Sequence, residues 1–211
     1  MSQVCRDGQR VAGEAPPSPG PDPLPTSGAA AATTKTRAPS RTATKADSAT
    51  TTAAGSPQVT IYTDGGASPN PGKGGYGVVL LYGKHRKELS AGFQRTTNNR
   101  MEILAAIAGL EVLREPCQVT LYSDSQYLVN AMTKGWVERW RRKGWMRTKK
   151  DAAKNPDLWD RLYLLCQRHT VSFKWVRGHA SNVENNHCDR LATQARKLPD
   201  LAPDTGFEED S

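Results

Sequence analysis

Between residues 58 and 197 the chain changes hydrophobic period in an interpretable order. Residues 58–66 (QVTIYTDGG), 75–83 (GYGVVLLYG) and 87–95 (KELSAGFQR) read as three strands separated by Gly-rich or Gly-Lys turns, an antiparallel meander. Residues 98–113 (NNRMEILAAIAGLEVL) switch to helical spacing, 118–124 (QVTLYSD) return to strand, and 125–132 (SQYLVNAM) begin a second helix. A βββαβα order implies a mixed sheet. A Trp-rich basic stretch follows. Beyond it the pattern predicts a helix over 156–169 with Pro156 at its start, a strand over 170–176 and a last helix over 182–197. The expectation is an α/β domain with five strands and four or five helices, without internal repeats.

The flanks lack this patterning. Residues 1–57 contain no aromatic residue and 8 of the 14 prolines, and Ala and Thr supply 19 of the 32 residues from 26 to 57. Such a segment cannot bury enough apolar surface to offset an ordering entropy of about 1–2 kcal/mol per backbone residue, so a disordered tail is expected. Residues 198–211, acidic and with two apolar anchors at most, are expected to be a loose, flexible C-terminal tail. The folded domain is then residues 58–197.

Charge sharpens this division. Residues 58–197 hold 23 basic and 12 acidic residues, whereas 198–211 hold five acids and no base, so the basic character lies in the domain and points to a polyanionic partner. The longest apolar stretch, 103–113, is broken by Gly109 and Glu111, short of the roughly 18 residues a membrane span needs. The N-terminus has no secretory-type apolar run, and the prolines between 16 and 25 would break a transit-peptide helix, so a cytoplasmic location is expected. Cys5, Cys117, Cys166 and Cys188 form no CxxC pair, and His85, His169, His179 and His187 have no zinc-like spacing; reduced, unmetallated thiols follow.

Acids occur where acids are costly. Asp64 ends one strand and Asp124 another, and strand ends are where α/β sheets build sites. An Asp-Gly turn at Asp64 and a helix N-cap at Asp124 are the structural alternatives. Glu102 is one of two polar residues in MEILAAIAGLEVL, and a first-turn carboxylate answering the helix dipole is its alternative. Asp189, in ENNHCDRLA, reads by itself as a solvated helical acid.

Taken together, TDGG at 63–66, TTNNRMEILAA at 96–106, YSDSQY at 122–127 and GHASNVENNHCDRLA at 178–192 resemble type 1 ribonuclease H, the cellular form, in order and spacing over nearly all of residues 58–197. The resemblance implies a ribonuclease H-like fold and makes Asp64, Glu102, Asp124 and Asp189 four acids of a metal site. Crowded carboxylates disfavour one another's ionisation unless a cation is present, and hard oxygen donors suit Mg²⁺ or Mn²⁺. Two such ions can hold the attacking water and the leaving oxygen of an in-line displacement at phosphorus. The implied reaction is hydrolysis of the RNA strand of an RNA/DNA hybrid to 5′-phosphate and 3′-hydroxyl products. His179 takes the position of the family's mobile histidine, which shuttles a proton or helps release product.

From residue 134 to 154 nine basic residues stand against two acids, with Trp136, Trp140 and Trp145 interleaved. Basic groups meet phosphates and flat rings meet sugars or bases; an amphipathic helix with inward-packed Trp is the alternative. The segment GWVERWRRKGW resembles the family's basic protrusion, which implies that Arg141, Arg142 and Lys143 grip the DNA strand along with Trp136. On the same resemblance Trp140 and Tyr127 line the DNA channel, and Arg95, Thr97 and Asn155 form a pocket for a DNA phosphate. Asn70, Asn98 and Gln126 match positions that contact the RNA strand, where amides can read the 2′-hydroxyl. Two-domain relatives carry an N-terminal hybrid-binding module rich in aromatic and basic residues; residues 1–57 have no aromatic residue, so no such module is expected.

The expectation is a monomeric, metal-dependent enzyme. A catalytically inactive hybrid-binding protein is a second reading, opposed by retention of all four acids and His179. A polynucleotidyl transferase of the same fold is a third, opposed by the Trp-rich protrusion and the amides suited to RNA.

Overall fold

The computed structural model describes residues 55–178 and 182–207, so the expected disorder of residues 1–57 lies outside the described residues except at its last three positions. The element order is β1 (Gln58–Ala67), β2 (Gly72–Tyr82), β3 (His85–Thr96), α1 (Asn98–Glu111), β4 (Gln118–Ser123), α2 (Gln126–Thr133), α3 (Trp136–Arg142), α4 (Pro156–Arg168), β5 (Thr170–Trp175) and α5 (Val183–Ala195). The strands form one sheet in the order β3-β2-β1-β4-β5. The β3-β2-β1 half is antiparallel and the β1-β4-β5 half parallel, which is the mixed five-stranded sheet expected from the βββαβα order.

Burial along β1 alternates strictly, with Val59, Ile61 and Thr63 buried and the residues between them half-buried, the period-2 signature of a strand with one face on the core and the other partly covered. Helix α1 packs on one face of the sheet, where Gly109 meets Ile61 and Val78. It packs against α4 as well, which explains why it is apolar nearly all round. Helix α5 packs on the opposite face, where the backbone carbonyl of Cys188 lies over Gly77; a Cβ at Gly77 would collide with it. On the α1 face the core continues through Leu121, Leu128 and Leu162 to Trp159, with Trp140 at its margin.

Two segments fill in or correct the sequence reading. The Trp-rich stretch contains a seven-residue helix, α3, between Gly135 and Gly144. The looseness expected of residues 198–211 does not hold over 198–207. Leu201 is buried, Ala202 forms a β-bridge with Phe93, and its carbonyl accepts from Gln94 N at 2.9 Å. The reason is polar anchoring: Asp204 accepts from Thr96 Oγ1 at 2.7 Å and from the guanidinium of Arg100 at 2.7 and 2.9 Å, contacts that apolar content does not foretell. Among the described residues, no helix is long and apolar enough to cross a membrane.

Candidate active site

Thr63 and Ser123 are partners across the parallel β1-β4 ladder, so the residues that follow them, Asp64 on β1 and Asp124 just past the end of β4, lie side by side. Glu102 reaches them from α1. The approach is close because Gly65 has no side chain: a Cβ there would run into the backbone of Met101 and Glu102. Carboxylate oxygens of Asp64, Glu102 and Asp124 lie within 4.8 Å of one another, and this is the one such group of potential metal ligands among the described residues. Asp189 is not within that radius, but it projects from α5 close enough for its charge to act on Asp64.

The structural alternatives for three of these acids fall away. Asp64 pairs with Gly77 inside a ladder that continues to Ala67, so it is not a turn residue. Asp124 is not the cap of α2; Ser125 is, accepting from Leu128 N at 3.3 Å. Glu102 lies beyond the first turn of α1, which contains no acid, so the helix dipole does not account for it.

Electrostatics single out the same group. Burial, with the charges of Asp124 and Asp189, pushes the Asp64 carboxyl from its ordinary 3.8 up to about 8, against a weaker opposing hydrogen bond from the Gly65 backbone. Burial, with Asp64 and Asp124, holds Glu102 well above the usual carboxylate range, partly offset by a hydrogen bond from Ser123. Glu102 Oε2 is buried without a hydrogen-bond partner. Three converging hard oxygen donors and an unsatisfied buried carboxylate oxygen fit a divalent cation, whose charge removes the penalty that raises these pKa values.

The amide candidates sit beside this cluster. Asn98 Oδ1 accepts from Ala67 N at 2.7 Å, and Asn70 Oδ1 accepts from Asn98 N at 3.1 Å. The turn after β1 is thereby tied to the start of α1, and each amide keeps its NH₂ group to present outward. Gln126 is exposed at the first position of α2. Thr97 caps α1, accepting from Arg100 N at 3.4 Å; Arg95 is exposed on β3, and Asn155 precedes α4 with a left-handed backbone at φ 60°.

The protrusion is mixed. Arg142 and Lys143 are exposed, and Trp136 is half-buried with Lys134 Nζ 5.7 Å from its ring centre. Arg141 instead pairs with Asp160 at 2.7 Å and covers the Tyr163 ring. Trp140 is 6% exposed and meets Trp159 edge-on, so most of its ring is committed to the core. Tyr127 also packs edge-on against Trp159. His179 lies outside the described residues.

Three contributors escaped sequence reasoning. Ser123, fully buried, donates to Glu102 and accepts from Ser125 N at 3.1 Å. Trp175 Nε1 donates to the Asp124 carbonyl at 3.0 Å. Arg100 is buried at the start of an apolar helix, the one signal of the three visible as an anomaly in the sequence.

Comparison with known proteins bears on this geometry. A family model described as RNase H matches residues 56–197. A ribonuclease H of Syntrophus aciditrophicus is 63% identical over 150 residues, covering 71% of this chain and 87% of its own. The fold is similar to LC9-RNase H1, a type 1 RNase H with the type 2 active-site motif, at TM-score 0.61 and 30% identity, covering 67% of this chain and 73% of that one. It is also similar to LC11-RNase H1, solved in complex with an RNA/DNA hybrid, at TM-score 0.51 and 25% identity, covering 65% and 95%.

Proposed function

Because the chain belongs to the RNase H family, in its type 1 form, we propose that it is a monomeric endonuclease hydrolysing the RNA strand of RNA/DNA hybrids to 5′-phosphate and 3′-hydroxyl products. The observation that carries this reading is the convergence of Asp64, Glu102 and Asp124 within 4.8 Å, with Asp189 close enough to perturb Asp64. These four carboxylates hold two Mg²⁺ ions, with Mn²⁺ as a substitute. When bound, such ions supply Lewis-acid stabilisation at phosphorus and lower the pKa of bound water.

The chain's own groups do the positioning. Ser123 orients Glu102, and Trp175 holds the backbone of Asp124. The NH₂ groups of Asn70 and Asn98, together with Gln126, meet the RNA strand at its 2′-hydroxyls, which DNA lacks. Arg95, Thr97 and Asn155 receive a DNA phosphate, and Trp136, Arg142 and Lys143 line the path of the DNA strand, with Tyr127, Trp140 and Arg141 backing that surface. His179 moves a proton at the departing oxygen or helps product leave.

The test is cleavage of an end-labelled hybrid in Mg²⁺, with duplex RNA and duplex DNA as controls. Hybrid-only cleavage with 5′-phosphate ends is expected. Binding without cleavage would replace this reading with that of a hybrid-binding protein, and strand joining with that of a transferase.

A further inference from the structure

Arg100 is 2% exposed, and its five N–H donors are all engaged. Nε and Nη2 grip Asp204 at 2.7 and 2.9 Å, Nη1 and Nη2 grip Asp157 at 3.1 and 2.8 Å, and Nη1 also donates to Asn155 Oδ1 at 3.4 Å. The backbone N–H of the same residue donates to Thr97 Oγ1. Arg100 therefore occupies an acceptor oxygen on each of two residues, Thr97 and Asn155, that come from different elements.

The consequence is a matter of donor direction. A guanidinium has no acceptor, so the amide of Asn155 must turn its oxygen toward Arg100 and its NH₂ away. The Asn155 side chain makes no capping bond to its own helix, which leaves that orientation to Arg100. With Thr97 Oγ1 accepting from the Arg100 backbone, the hydroxyl hydrogen is likewise left to donate. A phosphate only accepts, so two donors fixed in this way are what it requires.

We infer that the Arg100 side chain is the positioning residue of the DNA-phosphate pocket, holding Asn155 with its NH₂ outward beside the Thr97 hydroxyl that caps the same turn through the backbone of residue 100, and that Asp204 locks the guanidinium there from the C-terminal segment. Asp204 is itself tied to β3 through Thr96, and Gln94 Nε2 donates to the Leu201 carbonyl at 2.7 Å, so residues 201–204 brace the pocket from behind. This rests on the pocket reading of Arg95, Thr97 and Asn155 given above.

The experiment uses the full chain, Mg²⁺ and hybrids whose DNA strand carries one neutral methylphosphonate linkage at successive positions. The wild type is expected to show a raised KM at one linkage, and Asn155→Ala to lose that sensitivity. Arg100→Lys keeps a positive charge, but an ammonium with three donors cannot serve five acceptor oxygens on three side chains in fork geometry. It should raise KM on the unmodified hybrid on the order of tenfold, the scale of one charge-assisted hydrogen bond, with kcat little changed and no further rise at the sensitive linkage. Arg100→Lys retaining wild-type KM and wild-type linkage sensitivity would overturn the inference while leaving the pocket in place. A wild type indifferent to every linkage would remove the pocket reading, and the inference with it. Should Arg100→Lys fail to fold, Asp204→Asn is read by the same two criteria.

Discussion

Asp64 and Gly77 are partners across the β1-β2 ladder, and the absent side chain at Gly77 is what lets the Cys188 turn of α5 settle on the sheet with Asp189 beside Asp64. The fourth acid thus comes near Asp64 through a close backbone approach of its helix to a neighbouring strand.

Gly77→Ala should therefore push α5 outward. Overpacking of this kind costs about 1–3 kcal/mol, or about 2–4 °C in Tm per kcal/mol for a domain of this size. Metal affinity should fall as well, since Asp189 retreats. Calorimetric Tm and Mg²⁺ titration monitored by activity check both; an unchanged pair would mean that Gly77 does not set the position of α5.

The raised carboxyl of Asp64 makes metal-free stability depend on pH. With a folded pKa of about 8 against an ordinary 3.8, the folded state binds the proton more tightly than the unfolded one. Its contribution is fully present below about 4 and is lost as pH rises through about 8. His169 has the opposite sense: burial lowers its pKa from 6.5, so its contribution is present above that value and lost as pH falls through the lower folded pKa. In chelator the wild-type Tm should fall relative to that of Asp64→Asn between about pH 5 and pH 8, and saturating Mg²⁺ should flatten the difference. Parallel Tm curves for the two proteins would show that Asp64 is ionised without metal.

The protrusion should govern affinity through its exposed charges. Arg142→Ala and Lys143→Ala should each flatten the salt dependence of hybrid binding, by roughly 0.7–0.9 log units for every phosphate that the variant no longer neutralises. Arg141→Ala should change it less, because its guanidinium is occupied by Asp160 and the Tyr163 ring. Salt titrations of binding by the three variants decide this; equal slopes for all three would mean that Arg141 leaves Asp160 to meet the substrate.

What is legible in the sequence follows from what local pattern encodes. The alternation in QVTIYT and QVTLYS marks β1 and β4, and their parallel pairing in matched register then places Asp64 beside Asp124. Glu102 stands out because α1 is apolar on nearly every side. The segment 198–207 is illegible because its chief anchor is Asp204 on Arg100, 104 residues apart, a polar contact without periodicity. Trp140 misleads for a related reason: Trp-Arg interleaving looks the same whether the ring meets a nucleic acid or Trp159. Asp124 before SQYL has the sequence of an N-cap, yet Ser125 holds that position.

Asp124→Asn tests the site most directly, because it keeps the shape and removes one charge. The capping hydroxyl belongs to Ser125, so α2 loses nothing. The charge of Asp124 is the second cause of the raised Asp64 pKa and contributes to that of Glu102, so removing it relieves repulsion, and the metal-free Tm should hold or rise. A neutral amide binds a hard cation less well than a carboxylate, and disturbing even an outer ligand partner costs about 10- to 100-fold, so single-turnover cleavage should drop by a factor on the order of 10² or more. Hybrid binding should persist, because the amides and basic residues that meet the strands are untouched. Cleavage and metal-free Tm measured on the same preparation separate ligand loss from misfolding: slow cleavage with a maintained Tm assigns Asp124 to the metal, and near-normal cleavage removes it from the site.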